Sequence, residues 1–130
     1  MPHGDRAGLW TLLGDEPLLV LEAGDRIRSA ARAAGFEERT VLTVAGHFDW
    51  DQLTMAANSL SLFASRRLIE LRLPGGKPGD AGSEAIRRYC ERLPEDTVTL
   101  VSIGSADWST RKAVWFKALA AAGTVLDCNA

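Results

Sequence analysis

Strand-like and helix-like segments alternate along the whole chain. Short runs rich in apolar and β-branched residues are separated by longer stretches whose apolar residues repeat at helical spacing. Strands joined by helical crossovers must run parallel, and right-handed crossovers place helices against the sheet. The alternation therefore predicts a doubly wound α/β domain, with a five-stranded, mostly parallel sheet and helices on both faces. The predicted strands are 9–13, 40–44, 68–73, 97–103 and 124–128.

The apolar content of the strands predicts their positions in the sheet. Strands 9–13 and 97–103 are the most continuously apolar, as expected for interior strands that are covered on both faces. Strand 68–73 alternates instead, with Leu68, Glu70 and Arg72 on one of its two faces. We therefore expect that face to be partly exposed to solvent.

Turn and capping residues set the helix boundaries. Pro17 suits the first turn of the first helix, and Gly35 is its natural stop. Ser83 is the predicted N-cap of the third helix. Ser109 or Thr110 is the predicted N-cap of the last one.

Length and charge limit the possible partners. The chain has 130 residues, which is the size of one domain, and we expect residues 1–8 to be a flexible polar tail and 9–130 to be that single domain. Its 15 basic and 17 acidic side chains give a net charge of -2. A domain that grips phosphates carries a basic excess, so we expect no direct nucleic-acid binding.

The apolar runs and the cysteines of the sequence indicate the cellular compartment. The apolar runs are too short to span a bilayer, and the N-terminus has no apolar signal-peptide core, so no membrane association is expected. Cys90 and Cys128 each lie on an apolar stripe, which predicts two buried, reduced thiols. The expected location is the cytoplasm.

The turn after the first strand is where a phosphate-binding loop would lie in such a fold. Here it contains Gly14, Asp15, Glu16 and Pro17, with no lysine and two carboxylates at the start of a helix. Those charges repel phosphate, so we expect no ATP site and no cofactor. His3 and His47 have no partner at metal-ligand spacing, and no nucleophilic motif is present. The residues indicate a protein that is not an enzyme.

A distinctive segment joins the second helix to the third strand. It contains Leu60, Ser61, Leu62 and Phe63, in a frame of serine, alanine and arginine. Large apolar residues at such a junction either complete the core or stand exposed as an anchor for a partner. Residue types alone leave both possibilities open.

From Leu9 to Cys128 the chain resembles the N-terminal domain of the delta subunit of the bacterial DNA polymerase III clamp loader. Several stretches carry this resemblance in the same order. They are Leu12–Leu19, Gly35–Arg39, Phe48–Trp50, Leu60–Arg67 and Trp115–Leu119.

The resemblance implies a P-loop NTPase (AAA+-like) fold with strand order 5-1-4-3-2 and a degenerate nucleotide site. It also implies that Leu60, Ser61, Leu62 and Phe63 bind the sliding clamp, with Leu62 and Phe63 as the anchors, and that the protein helps to open the clamp during DNA replication without hydrolysing ATP. Such a protein is a non-catalytic subunit of the polymerase holoenzyme.

Other consequences of the resemblance concern partners. The resemblance implies that contacts with other clamp-loader subunits are made through C-terminal domains, which we expect to be absent here. The neighbouring Arg66 and Arg67 could meet acidic groups on the clamp, although we expect them mainly to keep the surface soluble. The alternatives are a stand-alone α/β protein-interaction module, or an ATP-binding domain, outside replication.

Overall fold

A parallel sheet forms the centre of the fold in a computed structural model, which describes residues 8–14, 16–58 and 66–128. Within these ranges the sheet has five strands, in the order β2-β3-β4-β1-β5. The elements are β1 (Gly8–Leu13), α1 (Pro17–Ala33), β2 (Glu38–Thr43), α2 (Asp51–Asn58), β3 (Arg67–Leu73), α3 (Gly79–Glu91), β4 (Thr97–Ile103), α4 (Trp108–Lys112), α5 (Val114–Ala122) and β5 (Thr124–Asp127).

The strand order confirms the expected 5-1-4-3-2 arrangement, read from the other edge of the sheet. All four strand pairs are parallel, and β1 and β4 both lie in the interior. Within the described residues β1 begins at Gly8, and residues 1–7 of the predicted tail lie outside them.

Helices cover both faces of the sheet, so the predicted fold class is confirmed. On one face α1 packs Ile27 and Ala31 into a cluster with side chains of β1, β3 and β4. On the other face α2, α3 and α5 build a larger cluster around Leu53, Ile86 and Leu119. Burial of these apolar side chains is the main stabilising contribution, at about 25 cal/mol per Å² removed from water.

The helix boundaries agree with the local signals in some places and depart from them in others. Helix α1 begins at Pro17 and stops before Gly35, whose φ of 95° is the left-handed conformation that glycine adopts without strain. The prediction for Ser83 is wrong, because α3 begins at Gly79 and places Ser83 inside the helix.

The last predicted helix is two helices. Asp107 caps α4 and not Ser109 or Thr110, since its carboxylate accepts hydrogen bonds from both of their backbone amides, at 2.9 and 3.1 Å. The Thr110 hydroxyl accepts in turn from the Asp107 amide at 3.1 Å, which completes a capping box. The extended backbone of Ala113 then separates α4 from α5.

The face of β3 that carries Glu70 and Arg72 is more buried than the sequence predicted. Glu70 is only 1% exposed, because α1 crosses over it. Its Oε1 accepts a hydrogen bond from Arg28 Nη1 at 2.5 Å, and its Oε2 accepts one from Arg39 Nε. A buried carboxylate is tolerated only when it is paired in this way. The expectation of a partly exposed face holds for Arg72 and is wrong for Glu70.

Candidate functional site

The four predicted clamp-binding residues, Leu60, Ser61, Leu62 and Phe63, lie outside the described residues. The structure describes what flanks them on both sides. Helix α2 ends at Asn58 before the interval 59–65, and Arg66 and Arg67 follow it, with Arg67 at the amino end of β3. The interval therefore connects α2 to the amino end of β3. The turn that follows β1 lies at the opposite, carboxyl end of the parallel strands.

Arg67 connects the start of β3 to the end of α2. Its guanidinium donates to the carbonyl oxygens of Ala56, at 2.5 Å, and Ala57, at 3.2 Å. It also contacts the Thr97 hydroxyl at 3.3 Å, and its backbone amide donates to the Asp96 carbonyl at 3.0 Å. The last carbonyls of a helix have no partner within it, so this cation satisfies them and complements the negative end of the helix dipole.

Arg66 makes a second connection, to the end of α1. Its Nη1 donates to the Ala34 carbonyl oxygen at 2.7 Å, and its guanidinium carbon lies 5.2 Å from the centre of the Phe36 ring. The expectation that both arginines mainly serve solubility is wrong, because both bind groups of this domain. One signal in the sequence could have indicated this: α2 has no basic residue in its last turn, and the next two basic residues along the chain are these arginines.

The turn after β1 is the second predicted site feature. Asp15 lies outside the described residues, but Gly14, Glu16 and Pro17 are described. The Glu16 carboxylate accepts a hydrogen bond from the Leu18 amide at 3.2 Å, so a side chain of the protein occupies the start of α1. An added anion would meet that negative charge.

The end of the chain closes this turn from the other side. The Cys128 amide donates to the Leu13 carbonyl oxygen at 2.7 Å, and the Glu16 amide lies 3.4 Å from the Cys128 carbonyl oxygen. A Cβ on Gly14 would lie 2.1 Å from that same oxygen, so only glycine fits here. In the described part of this turn, backbone amides thus point at protein acceptors.

Among the described residues, two cysteine thiols and the possible metal ligands are the remaining groups to consider. Burial raises the pKa of the Cys90 thiol to about 11 and also raises that of Cys128, which leaves both protonated and unreactive near neutral pH. Cys128 is buried as predicted, whereas Cys90 is only half-buried. Across 8–14, 16–58 and 66–128, no three His, Cys, Asp or Glu side chains are placed to hold a metal ion.

Two further findings concern the surface. Trp108, at the start of α4, is 70% exposed, and Lys112 Nζ lies 4.5 Å from the centre of its ring. In the part of the chain that the structure describes, no helix is both long and apolar enough to cross a bilayer.

Comparisons with known proteins identify similar chains. Residues 10–129 match the family described as "DNA polymerase III, delta subunit". DNA polymerase III subunit delta of Escherichia coli is 33% identical over 120 residues, which is 92% of this chain and 35% of that protein. The Haemophilus influenzae subunit delta is 27% identical over 110 residues, covering 85% of this chain and 32% of the relative. The chain thus spans about a third of the length of the curated relatives it matches.

Solved structures share the fold. The DNA clamp loader delta protein of Bacillus subtilis superposes with a TM-score of 0.71 at 20% identity, covering 97% of this chain and 39% of that one. A DNA polymerase III gamma subunit-related protein of Thermotoga maritima superposes with a TM-score of 0.64 at 11% identity, covering 96% and 42%. The fold is therefore the AAA+-like α/β fold of these proteins.

Proposed function

The chain belongs to the family of the DNA polymerase III delta subunit, and on that premise we propose that it binds the sliding clamp. The contact residues in this proposal are Leu60, Ser61, Leu62 and Phe63. The match over residues 10–129 includes all four of them. Leu62 and Phe63 enter an apolar pocket of the clamp, and the energy of that contact favours the clamp's opened form.

The observation that carries this proposal is the attachment of both flanks of the interval 59–65. Arg67 holds the end of α2 through the Ala56 and Ala57 carbonyls, and Arg66 holds the end of α1 through Ala34. A short segment between two fixed ends loses less conformational entropy when it docks than a free loop would. This supports a role for the segment as a preorganised anchor.

The remaining parts of the proposal follow from the family. The protein acts in the cytoplasm as a non-catalytic clamp-loader component, while other subunits hydrolyse ATP. The predicted domain over residues 9–130 also includes Gly8, which is the first residue of β1 and not part of a tail. Contacts with other clamp-loader subunits belong to the additional length that the curated relatives have, since this chain spans about a third of them.

The test is clamp binding by the Leu62→Ala/Phe63→Ala double variant of the 130-residue chain, measured by calorimetry against the cognate sliding clamp. Buried apolar anchors contribute about 2–4 kcal/mol each, so we expect affinity to fall at least about a hundredfold. Thermal stability should barely change. Met55→Ala is the matched control, because Met55 lies on α2 and is 68% exposed.

One result of this experiment would contradict the proposal. If the double variant unfolds, and its folded fraction keeps the clamp affinity of the Met55→Ala control, then Leu62 and Phe63 belong to the core. The segment would then have no part in clamp binding.

A further inference from the structure

Thr97 is the first residue of β4, and its polar side chain is buried, with 2% exposed. In the register of the two parallel strands it lies directly opposite Arg67, the first residue of β3. Both side chains therefore project from the same face of the sheet, which is the face on which α2 packs. A buried hydroxyl needs hydrogen-bond partners, so the contacts of Thr97 indicate its role.

The Thr97 hydroxyl has one partner for its proton and another for its oxygen. It donates to the Glu95 carbonyl oxygen at 2.8 Å, within the turn that joins α3 to β4. A hydroxyl has a single hydrogen to donate, so its oxygen remains free to accept. Arg67 Nη2 donates to that oxygen at 3.3 Å. The bond to Glu95 thus fixes the hydroxyl in the orientation that receives the guanidinium.

The turn before β4 contacts Arg67 through its backbone as well. Asp96 has a φ of 49°, a left-handed conformation that aspartate tolerates better than most residues. Its carbonyl oxygen accepts a hydrogen bond from the Arg67 amide at 3.0 Å. The turn therefore holds the main chain of Arg67 through Asp96 and the side chain of Arg67 through Thr97.

The Arg67 guanidinium joins this turn to the end of α2. Its Nη1 donates to the Ala56 carbonyl oxygen at 2.5 Å, and its Nη2 donates to the Ala57 carbonyl oxygen at 3.2 Å. Nη2 carries two hydrogens, one for Ala57 and one for the Thr97 hydroxyl. An arginine side chain has several rotatable bonds, whose freedom opposes any single placement. Three acceptors, two from α2 and one from β4, together set the plane of this guanidinium.

We propose that Thr97 is a positioning residue for the sliding-clamp contact. Its hydroxyl orients Arg67, and Arg67 in turn sets the end of α2, from which the interval 59–65 departs. The inference rests on the proposed function and extends it to the turn before β4. Because Thr97 is buried, it cannot contact the clamp itself, and its effect on clamp binding passes through Arg67.

The experiment measures binding of the cognate sliding clamp to variants of the 130-residue chain by calorimetry. Thr97→Val keeps the shape of the side chain and removes the hydroxyl. We expect its clamp affinity to fall about fivefold, because the end of α2 must then become ordered when the clamp binds. Thr97→Ser keeps a hydroxyl and should bind within about twofold of the unmodified chain.

Thr99→Val is the matched control. Thr99 lies on the same face of β4 and is equally buried at 2%, and its hydroxyl lies 2.5 Å from the Tyr89 hydroxyl. Either change to valine removes a buried hydrogen bond, so both variants should melt about 4 °C lower than the unmodified chain. Clamp affinity should fall in Thr97→Val and stay the same in Thr99→Val. If Thr97→Val does not give a well-dispersed amide spectrum, Thr97→Ala takes its place.

Two further measurements separate positioning from a general loss of stability. If Thr97 acts through Arg67, adding Thr97→Val to Arg67→Met should not weaken clamp binding any further. A general loss of stability would lower the affinity by the same factor with either residue at position 67. Amide hydrogen exchange provides a readout without the clamp, because the end of α2 should exchange faster in Thr97→Val and at the same rate in Thr99→Val.

The outcomes distinguish this inference from the proposed function. If the unmodified chain does not bind the clamp, or if Leu62→Ala/Phe63→Ala binds it equally well, the proposed function is wrong and Thr97 has no clamp contact to position. If binding does depend on Leu62 and Phe63, two results would overturn the inference alone. One is an equal effect of Thr97→Val and Thr99→Val on clamp affinity. The other is that the losses caused by Thr97→Val and Arg67→Met add.

Discussion

At the scale of the residue, Glu70 shows how the surroundings of a side chain decide its burial. The alternation of β3 is correct, yet the face that carries Glu70 is covered, because α1 contributes Arg28 and β2 contributes Arg39. Both partners lie more than 30 residues away in the sequence, at 42 and 31 positions. Nothing local to β3 in the sequence marks them, so only the tertiary structure reveals the pairing.

Glu70→Gln tests how much this carboxylate contributes to the free energy of unfolding. The amide keeps the shape but leaves Arg28 without its buried counter-charge, so we expect the free energy of unfolding to fall by about 3 kcal/mol. Urea unfolding measures the change. Glu84→Gln is the control, because its 2.6 Å pair with Arg88 is exposed and contributes less than about 1 kcal/mol. Equal losses in the two variants would show that the buried network contributes nothing special.

Tyr89 makes stability depend on alkaline pH. Burial raises the pKa of Tyr89 to about 12 from an ordinary value of 10.0, although its hydroxyl lies 2.5 Å from the Thr99 hydroxyl. Between pH 10 and 12 the unfolded chain has lost this proton and the folded chain retains it, so the unfolded state binds fewer protons. Stability therefore falls as pH rises through that window, by roughly 2–3 kcal/mol.

Urea unfolding at pH 8, 10 and 11.5 measures this loss. Tyr89→Phe removes the ionisable group and should flatten the curve between pH 10 and 12, at the expense of about 1 kcal/mol at pH 8 for the lost hydrogen bond. If Tyr89→Phe loses as much stability between pH 10 and 12 as the unmodified chain does, groups other than Tyr89 cause the loss.

At the scale of the element, Arg67 joins α2 to β3 across the interval 59–65. Arg67→Met keeps the aliphatic stem but leaves the Ala56 and Ala57 carbonyls without this donor. We expect a loss of about 2 kcal/mol and faster amide hydrogen exchange confined to α2. Arg87→Met, an exposed change on α3, should alter neither quantity. If the amides of α2 exchange as slowly in Arg67→Met as in the unmodified chain, the support for a preorganised anchor is lost.

Element boundaries that depend on one local feature, such as an apolar run or a glycine, were predictable from the sequence. Boundaries at which several neighbouring residues could act as the cap were not. The apolar runs and Gly35 predict the strands and the end of α1. Three candidate caps follow one another before α4, and the choice of Asp107 depends on a reciprocal bond with Thr110 that spacing alone does not select. The interior positions of β1 and β4 were predictable because both strands are apolar on both faces, whereas the full strand order was implied by the family resemblance. Whether Leu62 and Phe63 are exposed stays a prediction.

At the scale of the whole molecule, the proposed clamp contact and the turn after β1 lie at opposite ends of the parallel strands. The interval with Leu62 and Phe63 leads into the amino end of β3, whereas Gly14 and Glu16 follow the carboxyl end of β1. Strand β3 is seven residues long and is hydrogen-bonded to a neighbouring strand on both sides. A partner that binds the interval therefore approaches the end of the sheet that is farther from this turn.

The turn between β1 and α1 leads to the last prediction, that the protein does not bind ATP. A phosphate loop needs free backbone amides and a lysine, and here Glu16 accepts the Leu18 amide while Cys128 packs against Gly14. Calorimetry with ATP and Mg²⁺ should show no saturable binding up to about 1 mM. Glu16→Ala removes one negative charge, yet it restores neither a lysine nor the space taken by Cys128, so it should not bind either. Micromolar binding by the unmodified chain would contradict the prediction, and binding by Glu16→Ala alone would show that charge repulsion is the sole barrier.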